Sequence, residues 1–206
     1  MNISIVGSGN VGRALAAAWR RVGHQITLAT RDPAGAKAAE LRREGFAVVG
    51  FAAAAKTAPV IVLAVPWDAV PGTIHALGDL AGKILIDATN PLTKSLELAL
   101  GFNDSAGETV ALLAKGASVV KAFNTTGAGN MANSHYAGGK LMMAVAGDDA
   151  DAKKAVMALA AELGFEPVDV GPLAMSRQLE PMAMTWIKLA YAQGQGRDFG
   201  FAILRR

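Results

Sequence analysis

The feature that most constrains the fold is the glycine-rich hexapeptide GSGNVG at residues 7–12. It follows a short apolar segment, NISIV at residues 2–6, that is typical of a buried β-strand. The residues after it, 10–22, place their apolar side chains on one face of a helix. Strand, Gly-x-Gly-x-x-Gly and helix in this order predict a β-α-β unit. Its tight turn would hold the pyrophosphate of a dinucleotide against the free N–H groups of the helix start.

The rest of the chain repeats the alternation of strands and helices. The further predicted strands are 25–29, 59–65, 83–88, 118–123, 141–147 and 166–170, with a weaker candidate at 46–50. Alanine-rich segments with helical patterning lie between most of them. This order predicts an α/β fold with a doubly wound, mostly parallel Rossmann sheet that is covered by helices on both faces.

The pattern changes near the C-terminus. We expect a single domain over residues 1–206, with a dinucleotide-binding core at 1–135 and a small helical C-terminal lobe at 136–206. The segment 176–193 carries a stripe of apolar side chains at helical spacing. This stripe suits the two-fold contact of a homodimer, which we predict, but burial within the chain would produce the same pattern.

Composition narrows the classes of function. The chain is 52% hydrophobic and 18% charged, as is usual for a compact domain. It has no cysteine and only three histidines, so we predict no disulfide, no iron–sulfur cluster and no metal site. The net charge of +3 comes from scattered basic residues, which argues against nucleic acid as a partner. No apolar run approaches the about 20 residues that span a bilayer, and we expect a cytoplasmic protein without a signal peptide.

The end of the second strand indicates which dinucleotide is bound. An NAD site of this kind usually has an acidic residue there, which binds the 2′-hydroxyl of the ribose. In this chain the position is Thr30, followed by Arg31, and a hydroxyl and a guanidinium would bind a 2′-phosphate. Asp32 precedes a proline and is interpreted as the cap of the next helix. The sequence therefore predicts NADP as the cofactor.

Several further segments resemble a known family. GSGNVG, ATRDP, VPWDAV, DATNP, VVKAFNTTGAGNM and VDVGPLAMSRQLEPM stand in the order found in deazaflavin-dependent NADP oxidoreductases. The chain is also similar to the NADPH-oxidising domain of the six-transmembrane metalloreductases, which share a KAFN strand end. The resemblance implies hydride exchange between NADP(H) and a second redox coenzyme, which is a deazaflavin in the first group and a flavin in the second.

The resemblance also implies roles for individual residues. Ser8 joins Thr30 and Arg31 at the 2′-phosphate end, and Asn90 and Pro91 border the nicotinamide. With the glycine loop, the predicted coenzyme-binding residues are Gly7, Ser8, Gly9, Asn10, Val11, Gly12, Thr30, Arg31, Val65, Pro66, Trp67, Asn90, Pro91 and Asn124. The residues predicted to meet the second redox partner are Asn124, Thr125 and Arg177.

The identity of that partner stays open at this point. The deazaflavin enzymes typically have histidine and proline where this chain has Asn124 and Gly127, whereas the metalloreductase-type domains have asparagine at the first position. Arg177 could reach an anionic group of the second coenzyme or pair with Glu180.

Catalytic side chains are not evident in the sequence, and we predict none. Hydride exchange between two rings needs alignment and exclusion of water more than acid–base groups. A dehydrogenase of alcohols or imines would ordinarily need a residue that moves a proton. Tyr136 and Tyr191, the only tyrosines, lie in no recognisable catalytic motif. Two alternatives remain: an imine-type reductase of a small substrate, and an NADPH-binding sensor without catalysis.

Overall fold

A computed structural model describes all 206 residues and contains one eight-stranded sheet. The strands are β1 (Asn2–Val6), β2 (Gln25–Thr30), β3 (Ala47–Gly50), β4 (Val60–Leu63), β5 (Ile84–Asp87), β6 (Ser118–Lys121), β7 (Met142–Gly147) and β8 (Glu166–Gly171). The helices are α1 (Asn10–Arg21), α2 (Ala36–Arg43), α3 (Phe51–Thr57), α4 (Val70–Leu77), α5 (Ala106–Leu113), α6 (Ala128–Ala132), α7 (Ala150–Glu162) and α8 (Ser176–Tyr191). All eight segments predicted as strands are present, including the weaker candidate that becomes β3.

The strand order is β3-β2-β1-β4-β5-β6-β7-β8. All neighbours are parallel except β6 and β7, which pair antiparallel. The chain starts at β1, winds outward to β3, and then returns to the other side of β1 with β4. The order therefore reverses between β1 and β4, and a ligand cleft is expected outside the carboxyl ends of these two strands. The predicted α/β Rossmann fold is confirmed.

Each face of the sheet has its own apolar core. On one face α1 and α7 cover the strands, and the fully buried indole of Trp19 donates a hydrogen bond of 3.1 Å to the carbonyl of Leu159. On the other face α3, α4 and α5 cover strand residues such as Ile61 and Leu63. Because both faces are covered, β4 reads VIVL, with no polar position in alternation.

The sheet continues across residue 135, since β7 and β8 extend it. The helical part of the C-terminal region is α8, whose apolar stripe packs mainly within the chain: Leu179, Ala183, Trp186 and Ala190 are buried. The tail after α8 returns to the sheet, where the amide of Met142 donates to the carbonyl of Phe201. Packing within the chain thus accounts for most of the stripe, and the homodimer and the division at 135 stay predictions.

The helices give no indication of a membrane segment. None of the eight combines the length and the apolar character that crossing a bilayer requires.

Candidate functional site

The glycine loop is fixed by close packing at two of its three glycines. Gly7 has a φ of 107°, and a Cβ there would overlap the carbonyl group of Ala64 at the end of β4. A Cβ on Gly12 would overlap the carbonyl oxygen of Gly7. Both positions therefore exclude a side chain, which is the reason the sequence has glycine there.

The third glycine faces open space. A Cβ on Gly9 would meet no atom within 4 Å. Gly9 is the N-cap of α1, and the amide groups of Asn10, Val11 and Gly12 have no hydrogen-bond acceptor within the chain. Three free N–H groups at the positive end of a 12-residue helix, with room above them, fit the pyrophosphate of a dinucleotide.

A cleft of about 700 Å³ lies over the carboxyl ends of β1, β4 and β5. Seven of the predicted residues line it: Gly9, Asn10, Val11, Val65, Pro66, Trp67 and Asn90. The other lining residues are Ala64, Asp68, Ala88, Thr89, Leu92, Thr93, Lys94 and Ala99. The structure thus brings together the glycine loop, the segment after β4 and the segment after β5, as the sequence predicts. The loop around Leu92–Ala99, which forms one wall, is an element that the sequence analysis did not identify.

A second cavity, of about 340 Å³, adjoins this cleft. Arg31 lines it together with Phe51 and Gly72, and Asp68 lines both cavities. The neighbouring hydroxyl of Thr30 is buried without a hydrogen-bond partner, while Arg31 is exposed and forms no ion pair within the chain. A guanidinium on a cavity wall without a partner in the chain fits an anionic group such as a 2′-phosphate, although Thr30 itself lines neither cavity.

The interpretation of Asp32 as a helix cap is wrong. Its carboxylate accepts a hydrogen bond of 3.0 Å from the amide of Ala34, in the turn before α2. The N-cap of α2 is Gly35, which has no side-chain cap. Three residues, Pro33, Ala34 and Gly35, separate Asp32 from the first residue of the helix, so the carboxylate does not reach the helix N–H groups.

Asn90 and Asn124 form a reciprocal pair at the far end of the cleft. The Asn90 side-chain amide donates to the backbone carbonyl of Asn124 at 3.0 Å, and the Asn124 amide donates to Asn90 Oδ1 at 3.1 Å and to the Leu179 carbonyl at 3.2 Å. These bonds fix the orientation of both side chains. They leave Asn124 Oδ1 buried and without a hydrogen-bond partner within the chain.

The strand end that presents Asn124 is strained. Phe123, the residue before it, has a φ of 66°, although it is not a glycine. Its ring is fully buried and packs edge-on against Trp19 and Phe165, which holds the backbone in this conformation. Thr125 is also buried, and neither it nor Asn124 is among the residues that line the cleft. Asn124 therefore supports Asn90 from behind.

Arg177 does not pair with Glu180. Its guanidinium makes two hydrogen bonds to the Glu108 carboxylate, at 2.7 and 2.8 Å, and Arg177 does not line the cleft. The hydrogen bond from Arg177 lowers the pKa of Glu108, and the same bond raises the pKa of Arg177. Glu180 lies one turn further along the same side of α8, but its carboxylate is taken up by Lys121 and by the amides of Ala106 and Gly107. The predicted contact of Arg177 with the second coenzyme stays a prediction.

Sequence reasoning missed a cluster of three charges, which we name the buried charge cluster: Lys121, Asp87 and Glu180. All three side chains are fully buried, and Lys121 Nζ lies 2.9 Å from Asp87 Oδ2 and 2.8 Å from Glu180 Oε1. Burial alone would lower the pKa of Lys121, but the two carboxylates raise it above its ordinary value. The signal in the sequence is a lysine at the end of an apolar strand, β6. In the sheet the register partner of this lysine is Asp87, at the end of β5.

Fold and loop together define a Rossmann-type dinucleotide-binding protein. Residues 2–91 match the family model described as NADP oxidoreductase, coenzyme F420-dependent. A protein of Arthrobacter sp. FB24, solved as a proposed F420-dependent NADP reductase, is 34% identical, with full coverage of both chains and a TM-score of 0.91. The chain belongs to the family of coenzyme F420-dependent NADP oxidoreductases.

Two further groups of proteins are similar. The metalloreductase STEAP3 of Rattus norvegicus is 31% identical over 88% of this chain, but the match covers 36% of that protein. The chain spans about a third of the length of the curated relatives it matches. An imine reductase of Aspergillus terreus, solved in complex with NADPH4, shares the fold, with a TM-score of 0.67 at 21% identity over 93% of this chain and 63% of that one.

Proposed function

We propose that this NADP oxidoreductase transfers hydride between NADP(H) and a deazaflavin or flavin coenzyme. The observation that carries the proposal is the chemistry of the cleft wall. Of its lining residues only Asp68 and Lys94 are titratable, both are exposed, and no histidine or tyrosine is among them. Such a wall can align rings and exclude water, but it offers no buried acid or base for the reduction of a carbonyl.

The residues of the chain divide the work of binding the dinucleotide. The free N–H groups at the start of α1 hold the pyrophosphate, and Thr30 with Arg31 holds the 2′-phosphate. The Asn90–Asn124 pair orients the nicotinamide end, since Asn90 lines the cleft there. The nicotinamide, when bound, supplies the hydride or accepts it.

The choice of second coenzyme is supported by the relatives. The Arthrobacter protein is described as F420-dependent, which favours the deazaflavin, whereas the similarity to a metalloreductase favours a flavin. The deazaflavin enzymes typically have proline where this chain has Gly127. A Cβ at position 127 would overlap the indole ring of Trp186. The ring of Trp186 thus occupies the space that a larger residue at 127 would need.

The test is anaerobic oxidation of NADPH by the purified protein, followed by the loss of nicotinamide absorbance. A deazaflavin coenzyme, FMN and FAD serve as parallel acceptors, and NADH serves as the control donor. Turnover with the deazaflavin or with a flavin supports the proposal and identifies the acceptor. Tight NADPH binding without turnover on any of the three would contradict it and would leave the sensor alternative.

The imine-type reductase remains the second candidate, and one observation favours it. The ammonium of Lys94 lines the cleft and forms no ion pair or hydrogen bond within the chain, so it is available to donate a proton. In Lys94→Met, turnover with a ring coenzyme should stay close to that of the wild type. A loss of activity toward a cyclic imine that is specific to this variant would favour the second candidate.

A further inference from the structure

The buried charge cluster lies directly behind the residues that line the nicotinamide end of the cleft. Lys121 ends β6, Asp87 ends β5, and the two are register partners in the sheet. Glu180 reaches them from α8. One positive and two negative charges leave the cluster with one net negative charge, in a region that solvent does not reach.

Every polar atom of the cluster has a partner. Lys121 Nζ uses its three hydrogens on Asp87, Glu180 and the carbonyl of Thr89, at 2.8 to 2.9 Å. The carboxylate of Glu180 also accepts hydrogen bonds from the amides of Ala106 and Gly107, at the start of α5. A charged group with full hydrogen bonding is stable in the interior, and the salt of the medium screens it little.

A single residue connects the cluster to the cleft. The amide and the hydroxyl of Thr89 both donate to Asp87 Oδ1, at 2.9 and 2.7 Å, and the Thr89 carbonyl accepts from Lys121. Thr89 and its neighbour Asn90 line the cleft. The cluster also adjoins the Asn90–Asn124 pair, because Asn124 donates to the carbonyl of Leu179, next to Glu180.

We infer that the buried charge cluster sets the balance between the two oxidation states of the bound nicotinamide. Its net negative charge favours the oxidised ring, which is positive, over the reduced ring, which is neutral. This inference rests on the proposed function, which places the nicotinamide at Thr89 and Asn90. Lys121, Asp87 and Glu180 do not line the cleft and act through Thr89, so they are positioning residues.

The experiment measures the dissociation constants of NADP⁺ and NADPH separately, by equilibrium titration without a second coenzyme. Glu180→Gln removes one negative charge and keeps the size of the side chain. The ratio of the constant for NADP⁺ to that for NADPH should rise about fivefold to tenfold, as expected for a unit charge close by in a medium of intermediate dielectric. Asp87→Asn should shift the ratio in the same direction, and it carries the test if Glu180→Gln does not fold.

A double variant separates charge from structure. Lys121→Met combined with Glu180→Gln removes the ion pair but keeps the net charge at minus one. Its ratio should stay within about twofold of that of the wild type, although it disturbs the packing more than either single change. Glu162→Gln, which removes an exposed carboxylate at the end of α7 that pairs with His24, is the surface control and should not change the ratio.

The outcomes are distinct. An unchanged ratio in both single variants, or an equal shift in the double variant, would overturn the inference. The wild-type protein should bind NADP⁺ at least as tightly as NADPH, and a clear preference for NADPH would also overturn it. If the wild-type protein binds neither nucleotide, the proposed function itself fails.

Discussion

The two ends of the cleft are built in different ways. At the glycine loop the cleft is formed by the backbone: three free N–H groups of α1, held in place by glycines that pack against Ala64 and against each other. At Asn90 the cleft wall is supported by buried side chains, namely the Asn90–Asn124 pair and the buried charge cluster behind it. The structure of the first end depends on close packing of the backbone, and that of the second depends on the pairing of buried polar groups.

The two ends are therefore sensitive to different kinds of substitution. A backbone site tolerates most neighbouring side chains but no added atom at the glycines. A site of paired side chains tolerates changes in shape but not the loss of one partner, because the remaining partner stays buried and unpaired. Four variants test this contrast: Lys121→Met, Gly12→Ala, Arg31→Glu and Glu108→Gln.

Lys121→Met should have the largest effect on stability. It leaves Asp87 and Glu180 facing each other in the interior without the ammonium between them. The free energy of unfolding should fall by about 3–5 kcal/mol. Urea denaturation measures this loss, with Lys188→Met, in the exposed pair with Glu97, as the matched control that should change little. Equal losses in the two variants would show that burial is not the cause.

Gly12→Ala should have the next largest effect on the free energy of unfolding. Its Cβ would overlap the carbonyl oxygen of Gly7, and overpacking of this kind costs about 1–3 kcal/mol of unfolding free energy. Gly9→Ala is the control within the same loop, because nothing lies within 4 Å of its Cβ. The control should keep its stability and lose affinity for NADPH. If it binds NADPH as the wild type does, the phosphate does not lie over Gly9.

Arg31→Glu tests the predicted 2′-phosphate site. Reversing this exposed charge should raise the dissociation constant of NADPH about tenfold or more, since a guanidinium–phosphate contact becomes a repulsion. NADH, which lacks the 2′-phosphate, should be affected far less. Titration of both nucleotides measures the difference. Equal losses for the two would show that Arg31 does not recognise the 2′-phosphate.

Glu108→Gln should have the smallest effect of the four variants, a small loss of thermal stability. Arg177 lowers the folded-state pKa of Glu108 below its ordinary value of 4.5, so the ionised pair stabilises the protein above that pH and is lost as the pH falls through the folded-state pKa. The pair is partly exposed, so the midpoint of thermal unfolding should drop by only about 1 °C at pH 7.

The pH dependence of the Glu108 variant distinguishes charge from packing. The difference from the wild type should shrink as the pH falls through the folded-state pKa of Glu108, and it should disappear once Glu108 is protonated in both states. Thermal melts at pH 7 and over a falling series of pH values provide the comparison. A difference that persists at the lower pH would mean that Glu108 contributes through its shape.

The fold and the glycine loop followed from the amino-acid sequence alone. The alternation of apolar strands and helices specifies the parallel sheet, and Gly7, Gly9 and Gly12 specify the loop, because their constraints act between residues that are close in sequence. The position of Thr30 and Arg31 could be predicted for the same reason, since the end of β2 follows from the strand pattern. Each of these signals is local.

The charge pairs behind the Asn90 end of the cleft followed only from the tertiary structure. Lys121 meets Asp87 across 34 positions of sequence, and Arg177 meets Glu108 across 69. The sequence left a pair between Arg177 and its neighbour Glu180 as one of two alternatives, but the fold gave each of them a different and distant partner. Which strands lie side by side, and which face of α8 meets the sheet, is decided by the packing of the whole core. A buried charge takes as its partner whatever opposite charge that packing brings within reach.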